Sequence, residues 1–272
     1  HPRAVPHWAT GAPRDPVPPR GPPKPGIKAD GEKTLSDWVR QVNQAVISLD
    51  EGVGRLVESL QESGQLENTL ILFTSDQGFA WGQHGFQVKK APYDANIRSP
   101  FIISMPSRFA QGEVCPHPVG GVDVVPTFFS VAGIDLPWEM HGRDLTPMLE
   151  NPGAPDLARP VLTAFTGDSY GSASDVVPSG DDTASRTKLF MRGNVPWWIS
   201  LIDGREKYIR TLVAGEPEEL YDLGNDPEEL NNLARDPAYR DRVLELREAT
   251  VAELRRTDAG LVETLPEVAP LP

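Results

Sequence analysis

The sequence predicts an α/β domain followed by a smaller α+β subdomain. Two short apolar strands, separated by a long loop, stand between helical segments, and this order favours a sheet with helices packed on its faces. After about Asn151 the chain changes to a polar loop, short strands and a terminal helix. We expect a proline-rich arm at 1–30, the α/β domain at 31–155 and the subdomain at 156–272.

The amino-terminal third contains an extended arm and then a long helix. Nine prolines within residues 1–26 predict irregular, extended backbone. Apolar residues at three- and four-residue spacing predict an amphipathic helix over 36–63, which Gly64 ends. These apolar residues are Val39, Val42, Val46, Leu49, Val53, Leu56, Val57 and Leu60.

Two strands and a second helix complete the α/β domain. The runs 70–74 and 101–104 are short and apolar, and the second follows Pro100. Asp123 is typical of a helix amino-terminal cap, and Gly133 marks the end of that helix.

The subdomain begins with a loop, predicted over 167–185 from its glycine, serine and aspartate content. Strands are predicted over 197–202 and 207–213, with a turn between them. A helix follows from Asp236-Pro237 to about residue 256.

An acidic run and a pair of tryptophans in this subdomain can be interpreted from their positions in the sequence. The acidic run 216–219 is typical of a solvated hairpin edge. Trp197 and Trp198 could line a substrate rim or pack between elements.

Composition limits the classes of partner and the kinds of site. The formal net charge of −13 argues against nucleic acid or an anionic membrane as a partner. No run approaches the length of a membrane span. Cys115 is the single cysteine, which excludes an internal disulfide and a cysteine-based zinc site.

The run "TLILFTSDQGFAWGQHG" ends a strand in a carboxylate and a carboxamide. In open α/β sheets, ligands gather beyond the carboxyl ends of strands, where Asp76 and Gln77 lie. Their oxygens suit Ca²⁺ or Mg²⁺. Alternatively, Asp76 caps a turn and Gln77 faces solvent.

Four segments in order resemble the sulfatase family of the alkaline phosphatase superfamily. They are "VPHWATGAPR", "TSDQGFAWGQHG" with "KKAPYDANIRSPFII", "GVDVVPTFFSVAGIDLPWEMHGRDLTPML", and "EELYDLGNDPEELNNLA". Asp94 stands where this family usually has Glu. The resemblance implies an alkaline-phosphatase-like sheet with flanking helices, here only part of one.

The resemblance also implies roles for individual residues. Asp76 and Gln77 would be two of four protein ligands to a divalent cation, usually calcium. Lys89 would contact the sulfate and could reach the bridging oxygen of the leaving group, with Lys90 the alternative if the register shifts by one. His7 would hydrogen-bond that bridging oxygen. A cation and these donors would stabilise charge on the leaving-group oxygen. His84 either orients its loop or reaches the pocket.

The family nucleophile is a formylglycine made from Cys or Ser in Cys/Ser-x-Pro-x-Arg. The single literal match is "SMPSR", which begins at Ser104 in the second predicted strand, and we interpret it as a chance match. Several other residues fall in segments that resemble the family, and we expect them to cap a helix, pack in the core or dock one domain on the other. They are Asp123, Asp135, Arg143 and the Tyr221-Asp222 pair.

Three hypotheses follow. The chain is the carboxy-terminal portion of a sulfatase without its nucleophile, a non-catalytic metal-binding or interaction module, or a hydrolase of phosphate diesters, phosphonates or other esters from the same superfamily. A partial sheet would expose an edge and apolar surface, so we expect self-association or partner binding. The compartment is not readable from the residues, although the resemblance favours periplasm or secretion.

Overall fold

The computed structural model describes residues 35–191 and 195–272. The predicted arm at 1–30, and His7 within it, therefore lie outside the described residues. Six α-helices are found in the described part: α1 Leu35–Glu62, α2 Asp94–Ile97, α3 Val124–Ala132, α4 Thr146–Glu150, α5 Thr183–Leu189 and α6 Arg240–Arg256. Ten strands accompany them: β1 Ile71–Thr74, β2 Ala80–Trp81, β3 Gln87–Val88, β4 Phe101–Ser104, β5 Val161–Phe165, β6 Phe190–Met191, β7 Val195–Pro196, β8 Trp198–Asp203, β9 Glu206–Thr211 and β10 Glu219–Asp222.

The chain divides into two compact units. Gln77–Arg98 and Ala158–Pro272 belong to the first unit, and residues 35–76 with Ser99–Leu157 belong to the second. The division after β1 falls between Asp76 and Gln77.

The second unit contains α1 and an antiparallel pair of strands. β1 pairs with β4, so that Ile71 is opposite Ser104 and Thr74 is opposite Phe101. Both strands match their predictions to within one residue. The carboxyl end of β1 therefore lies beside the amino end of β4.

The predicted long helix is confirmed as α1, but its apolar face is largely exposed. Val46, Leu49 and Leu56 are 54%, 51% and 68% exposed, and Trp38 near the start of the helix is 48% exposed. Apolar side chains at such spacing normally cover a core. The second unit therefore shows the apolar exposure expected from the sequence.

The predicted cap at Asp123 is wrong in its bonding. Helix α3 ends before Gly133 as predicted, but the Asp123 side chain does not cap its amino terminus. Its carboxylate instead accepts hydrogen bonds from the N–H groups of Gly120 at 2.9 Å and Arg143 at 2.8 Å. A 3₁₀ turn over Gly121–Asp123 precedes the helix, and the bond from Gly120 closes this turn. Asp123 thus joins two loops of its unit.

The first unit is built on a four-stranded antiparallel sheet in the order β10-β9-β8-β5. The predicted strand pair is confirmed as β8 and β9, with Leu201 opposite Tyr208. Helix α6, predicted from its Asp-Pro start, packs on the face that carries Leu201, Tyr208 and Leu220. The other face carries Trp198, Ile209 and Tyr221, which pack with residues of the 77–98 segment. Both faces of this sheet are covered.

Two predictions in this unit are wrong. The loop predicted over 167–185 ends earlier, because Asp182 caps α5 by accepting hydrogen bonds from the N–H groups of Ala184 and Ser185. The acidic run is not solvated, since Glu218 and Glu219 are 2% and 5% exposed. Arg247 binds both oxygens of the Glu218 carboxylate, at 2.7 and 2.5 Å, and thereby balances its charge.

Candidate functional site

Asp76 and Gln77 follow β1 by two and three residues. Asp76 is exposed and Gln77 is half-buried. The Ser75 hydroxyl lies 3.4 Å from the Asp76 carboxylate, a long contact between neighbours. The side chain of Asp76 is therefore accessible to a ligand from solvent.

Gly78 explains why glycine completes the Ser-Asp-Gln-Gly run. A Cβ atom at this position would lie 2.8 Å from the carbonyl oxygens of both Ala95 and Arg98. Neither obstacle is a flexible side chain, so the backbone would have to shift. The chain passes this close to α2 because residue 78 has no side chain.

His84 orients its own loop. It is buried at 5% exposure within the turn Gln83–Gly85, with a positive φ of 51°. Its ring stacks on Tyr93 at a centroid distance of 3.8 Å. Its Nε2 atom lies 2.9 Å from the Glu228 carbonyl oxygen, and because a carbonyl only accepts, Nε2 carries the proton in this contact. Of the two roles expected from the sequence, these contacts favour loop orientation.

Lys89 and Lys90 differ in exposure and in backbone geometry. Lys89 is exposed, whereas Lys90 is half-buried with a φ of 100°. The Lys90 carbonyl accepts a 2.7 Å hydrogen bond from the indole Nε1–H of Trp198. The indole of Trp198 thus holds the backbone beside Lys89, and the ring is 2% exposed rather than part of a substrate rim.

Asp94 belongs to a buried charged cluster with Lys207 and Glu229. The Lys207 ammonium, 0% exposed, lies 2.8 Å from Asp94 Oδ1 and 2.8 Å from Glu229 Oε1. The contact with Glu229 is an ion pair without hydrogen-bond geometry. Glu229 Oε2 accepts a 2.6 Å bond from the backbone N–H of Asp94. Burial raises the pKa of Glu229 to about 7, with Lys207 opposing the shift and Asp94 adding to it.

Two tyrosines share one buried carboxylate beside this cluster. The hydroxyls of Tyr93 and Tyr221 donate to Glu219 Oε2 at 3.0 and 2.5 Å. Burial, with the charge of Glu219, raises the pKa of both hydroxyls. Both therefore keep their protons across the physiological range.

Sequence reasoning missed Lys207, Glu229 and Glu219. Lys207 lies in a strand where alternation could place it on either face, and Glu229 follows another glutamate in a turn. The one available signal was a lysine beside Tyr208 and Ile209 in a predicted strand, because a lysine there requires a paired charge if it is buried.

The remaining predicted residues are placed as follows. Ser104 lies in β4, where its hydroxyl donates to Gln111 Oε1 at 3.3 Å. The Arg143 guanidinium donates to the carbonyl oxygens of Leu157 and Pro118 at 2.7 and 2.8 Å. Asp135 is exposed, and Asp222 pairs with Arg205 at 3.1 Å.

The donor types at Asp76 and Gln77 suit a hard cation, but two residues do not supply the six to eight oxygens that calcium takes. Among residues 35–191 and 195–272 there is no group of three or more His, Cys, Asp or Glu side chains that could hold a metal ion. In the same ranges no helix has the length and hydropathy needed to cross a membrane.

Comparison with known proteins gives a consistent result. Residues 8–134 match the Sulfatase family. An N-acetylglucosamine-6-O-sulfatase of Bacteroides thetaiotaomicron is 38% identical over 126 residues, 44% of this chain and 23% of that protein. The extracellular sulfatase SULF-1 homolog of Drosophila melanogaster is 38% identical over 107 residues, 39% of this chain and 10% of that protein. This chain therefore spans less than a quarter of the length of either relative.

Two solved structures resemble the fold. One is a protein in complex with its substrate D-glucosamine-2-N,6-O-disulfate, with a TM-score of 0.62 and 27% identity over 78% of this chain and 39% of that chain. The other is the phosphonate monoester hydrolase of Agrobacterium radiobacter, with a TM-score of 0.62 and 27% identity over 78% of this chain and 40% of that chain.

The fold is the α/β architecture of the alkaline phosphatase superfamily, as expected from the sequence. Within that superfamily, the match over residues 8–134 and the similar proteins support the resemblance to the sulfatase family. Members of this family generally depend on a divalent metal.

The buried tyrosines predict an unusual alkaline titration. Tyr93, Tyr208 and Tyr221 have raised pKa values because they are buried beside carboxylates. We expect Tyr93, Tyr208 and Tyr221 to stay protonated at about pH 10 in the folded chain, measured by absorbance at about 295 nm. Because the folded pKa values exceed the unfolded value, the three buried hydroxyls stabilise the fold below about pH 10, and this stabilisation is lost as pH rises further.

Matched variants test this assignment. Tyr208→Phe and Tyr221→Phe should each leave the absorbance change that precedes unfolding intact and reduce the change that accompanies unfolding. Ionisation of Tyr93, Tyr208 and Tyr221 near pH 10, without unfolding, would contradict it.

Proposed function

We propose that this chain is part of a metal-dependent hydrolase of sulfate esters. The observation that carries this proposal is the Ser-Asp-Gln-Gly run at the end of β1, followed by an anchored loop that leaves Lys89 exposed. Both features lie within residues 8–134, which match the Sulfatase family. Similar proteins are named for sulfated glucosamines, which makes sulfate esters of amino sugars the substrate class to test first.

Each residue has a defined part in this proposal. Asp76 and Gln77 would hold a divalent cation, calcium first and magnesium as the alternative, and the cation would supply positive charge at the sulfate oxygens. Lys89 would contact the sulfate through its ammonium, and His7 would hydrogen-bond the bridging oxygen. The bond between sulfur and this oxygen breaks, so donors at that atom lower the barrier. The nucleophile is not assigned.

Resemblance to a phosphonate monoester hydrolase supports a second candidate. Its substrate is also a tetrahedral monoester anion, so the same cation and ammonium would serve. Parallel assays of aryl sulfate, aryl phosphonate and carboxyl ester substrates decide between the candidates by their relative rates. A chain that neither hydrolyses nor binds any of them would instead favour a non-catalytic module.

Metal binding is tested on the purified chain by calorimetric titration with calcium. Asp76→Ala should remove most of the binding heat or weaken the affinity by at least about tenfold, since it deletes the single anionic ligand we assign. Asp135→Ala, which removes an exposed carboxylate of the same unit, should bind as the unaltered chain does. Equal calcium affinity in the Asp76→Ala chain would overturn the metal site.

The role of Lys89 is tested against its neighbour. Lys89→Ala should lower the rate with an aryl sulfate by about 100-fold, or weaken its binding where turnover is not measurable, because an oxyanion donor is lost. Lys90→Ala should have little effect, since the hydrogen bond from Trp198 goes to the backbone carbonyl of Lys90, which the substitution keeps. The reverse ranking would move the assignment to Lys90. If neither variant loses activity or binding, both assignments are rejected.

We further propose that the exposed apolar face of α1 is covered by a second copy of this chain in solution. Multi-angle light scattering should show a mass above 29.8 kDa that increases with concentration. Val46→Glu should reduce association by placing a charge at the centre of this face. Gln44→Glu, with the same charge on the opposite side of the helix, should not. A monodisperse monomer at every concentration would refute the proposal.

Export from the cytoplasm is consistent with the extracellular relatives, and we propose it for the native protein.

A further inference from the structure

The buried cluster of Lys207, Asp94 and Glu229 joins two parts of the first unit. Lys207 comes from β9 and Asp94 begins α2, whereas Glu229 comes from the turn after β10. Lys207 is 0% exposed and Glu229 is 1% exposed. The cluster lies between the sheet and the segment 84–98, which carries Lys89.

Positive-φ backbone is concentrated around the same segment. Of the four non-glycine residues with positive φ in the described ranges, His84, Lys90 and Glu229 all belong to it or contact it. Such backbone persists when surrounding contacts determine it, and it collects at functional sites. Here the contacts are the Glu228 carbonyl for His84 and the indole of Trp198 for Lys90. For Glu229 they are Lys207 and the backbone of Asp94.

We propose that Lys207, Asp94 and Glu229 form a buried ionic latch that fixes the segment 84–98 and thereby positions Lys89. We call these three residues the latch. They are positioning residues, because none of them contacts the ligand in this proposal. The inference rests on the proposed function only in taking Lys89 as the residue that meets the sulfate.

The latch carries an excess negative charge, which makes it sensitive to pH. One ammonium faces two carboxylates, and Arg98 lies 3.9 Å from Asp94 but is 79% exposed. Tyr93 and Tyr221 interact electrostatically with Glu229, and both donate hydrogen bonds to Glu219. The backbone N–H of Glu229 donates to the Asp226 carbonyl, and His84 contacts the carbonyl of the adjacent Glu228. Tyr93 and Tyr221 stay neutral, so they do not offset the excess charge. Protonation of Glu229 makes the latch neutral, and ionisation leaves one uncompensated buried charge.

The pH effect has a definite sign. The pKa of Glu229 is about 7 in the closed segment and should return to about 4.3 when the segment opens to water. The latch is therefore tightest at low pH, and opening becomes easier as pH rises to about 7. By linkage, the opening equilibrium should increase about tenfold between pH 6 and pH 8.

Limited trypsin digestion of the full chain measures this opening directly. Cleavage after Lys89 and Lys90 is quantified by mass spectrometry relative to cleavage after Arg55 in α1, which corrects for the pH dependence of trypsin. The unaltered chain should show the tenfold rise between pH 6 and pH 8. Glu229→Gln keeps a carbonyl acceptor for Asp94 without the charge, so its cleavage ratio should be flat with pH and within about twofold of the unaltered chain at pH 6.

A second pair of variants tests whether the contacts of Glu229 hold the segment 84–98 in place. Glu229→Ala should raise the cleavage ratio at pH 6 by at least about tenfold, whereas Glu228→Ala, its exposed neighbour, should leave the ratio unchanged. If Glu229→Ala prevents folding, as judged by circular dichroism, the pH response of Glu229→Gln decides. A ratio unchanged in Glu229→Ala, or a tenfold pH response retained in Glu229→Gln, overturns the latch.

Binding of an aryl sulfate to the same preparations separates the latch from the proposed function. Glu229→Ala should weaken binding as Lys89→Ala does, and Glu228→Ala should not. Increased cleavage together with unchanged binding in Glu229→Ala would overturn the positioning role. Unchanged binding in Lys89→Ala would overturn the proposed role of Lys89 instead, because the cleavage results do not depend on any ligand.

Discussion

The burial of Lys207 is the constraint on which the first unit depends. A fully buried ammonium is tolerated only when carboxylates pair with it, and here the pairing groups come from α2 and from the turn after β10. The sheet therefore cannot bury its lysine unless the segment 77–98 is in place. In turn, α2 cannot bury the Asp94 carboxylate without that lysine. Removing Lys207 would leave both carboxylates uncompensated, and breaking a buried ion pair in this way typically costs about 3–5 kcal/mol.

The buried polar contacts of this unit determine which residues face one another, rather than adding net stability. A buried ion pair often contributes no more than apolar side chains of the same volume would, so its presence is poor evidence for stability. Directional contacts, however, fix which residue faces which. The indole of Trp198 binds one carbonyl, that of Lys90, and His84 Nε2 binds that of Glu228. Together with the stacking of His84 on Tyr93, they allow a segment with little regular structure to hold one conformation.

The sequence predicted the elements whose signals are local. Helix α1, strands β1, β4, β8 and β9, and helix α6 all follow from periodicity, glycine, proline or aspartate at the ends. The errors arose where a side chain is satisfied by a distant residue. Asp123 is bonded to the backbone of Arg143, twenty residues away, and Glu218 is paired with Arg247 on α6. A run of acidic residues looks solvated when its counter-charge comes from another element, and Lys207 escaped notice for the same reason.

Catalysis on a sulfate ester needs donors that are fixed before charge develops, since reorientation during the reaction would raise the barrier. Lysine is poorly suited to this alone, because its four-carbon chain is flexible and its ammonium is strongly hydrated. The range of positions open to the ammonium is reduced by fixing the backbone from which the lysine side chain projects. The backbone at Lys90 is held in an uncommon conformation by a buried indole, and α2 is held four residues further on by Asp94. A metal ligand, the role proposed for Asp76, needs less support, because calcium tolerates variable geometry and draws carboxylate oxygens toward itself. Stabilisation of charge by a cation would therefore allow the exposed position of Asp76. Stabilisation by an ammonium would require the anchored loop that carries Lys89.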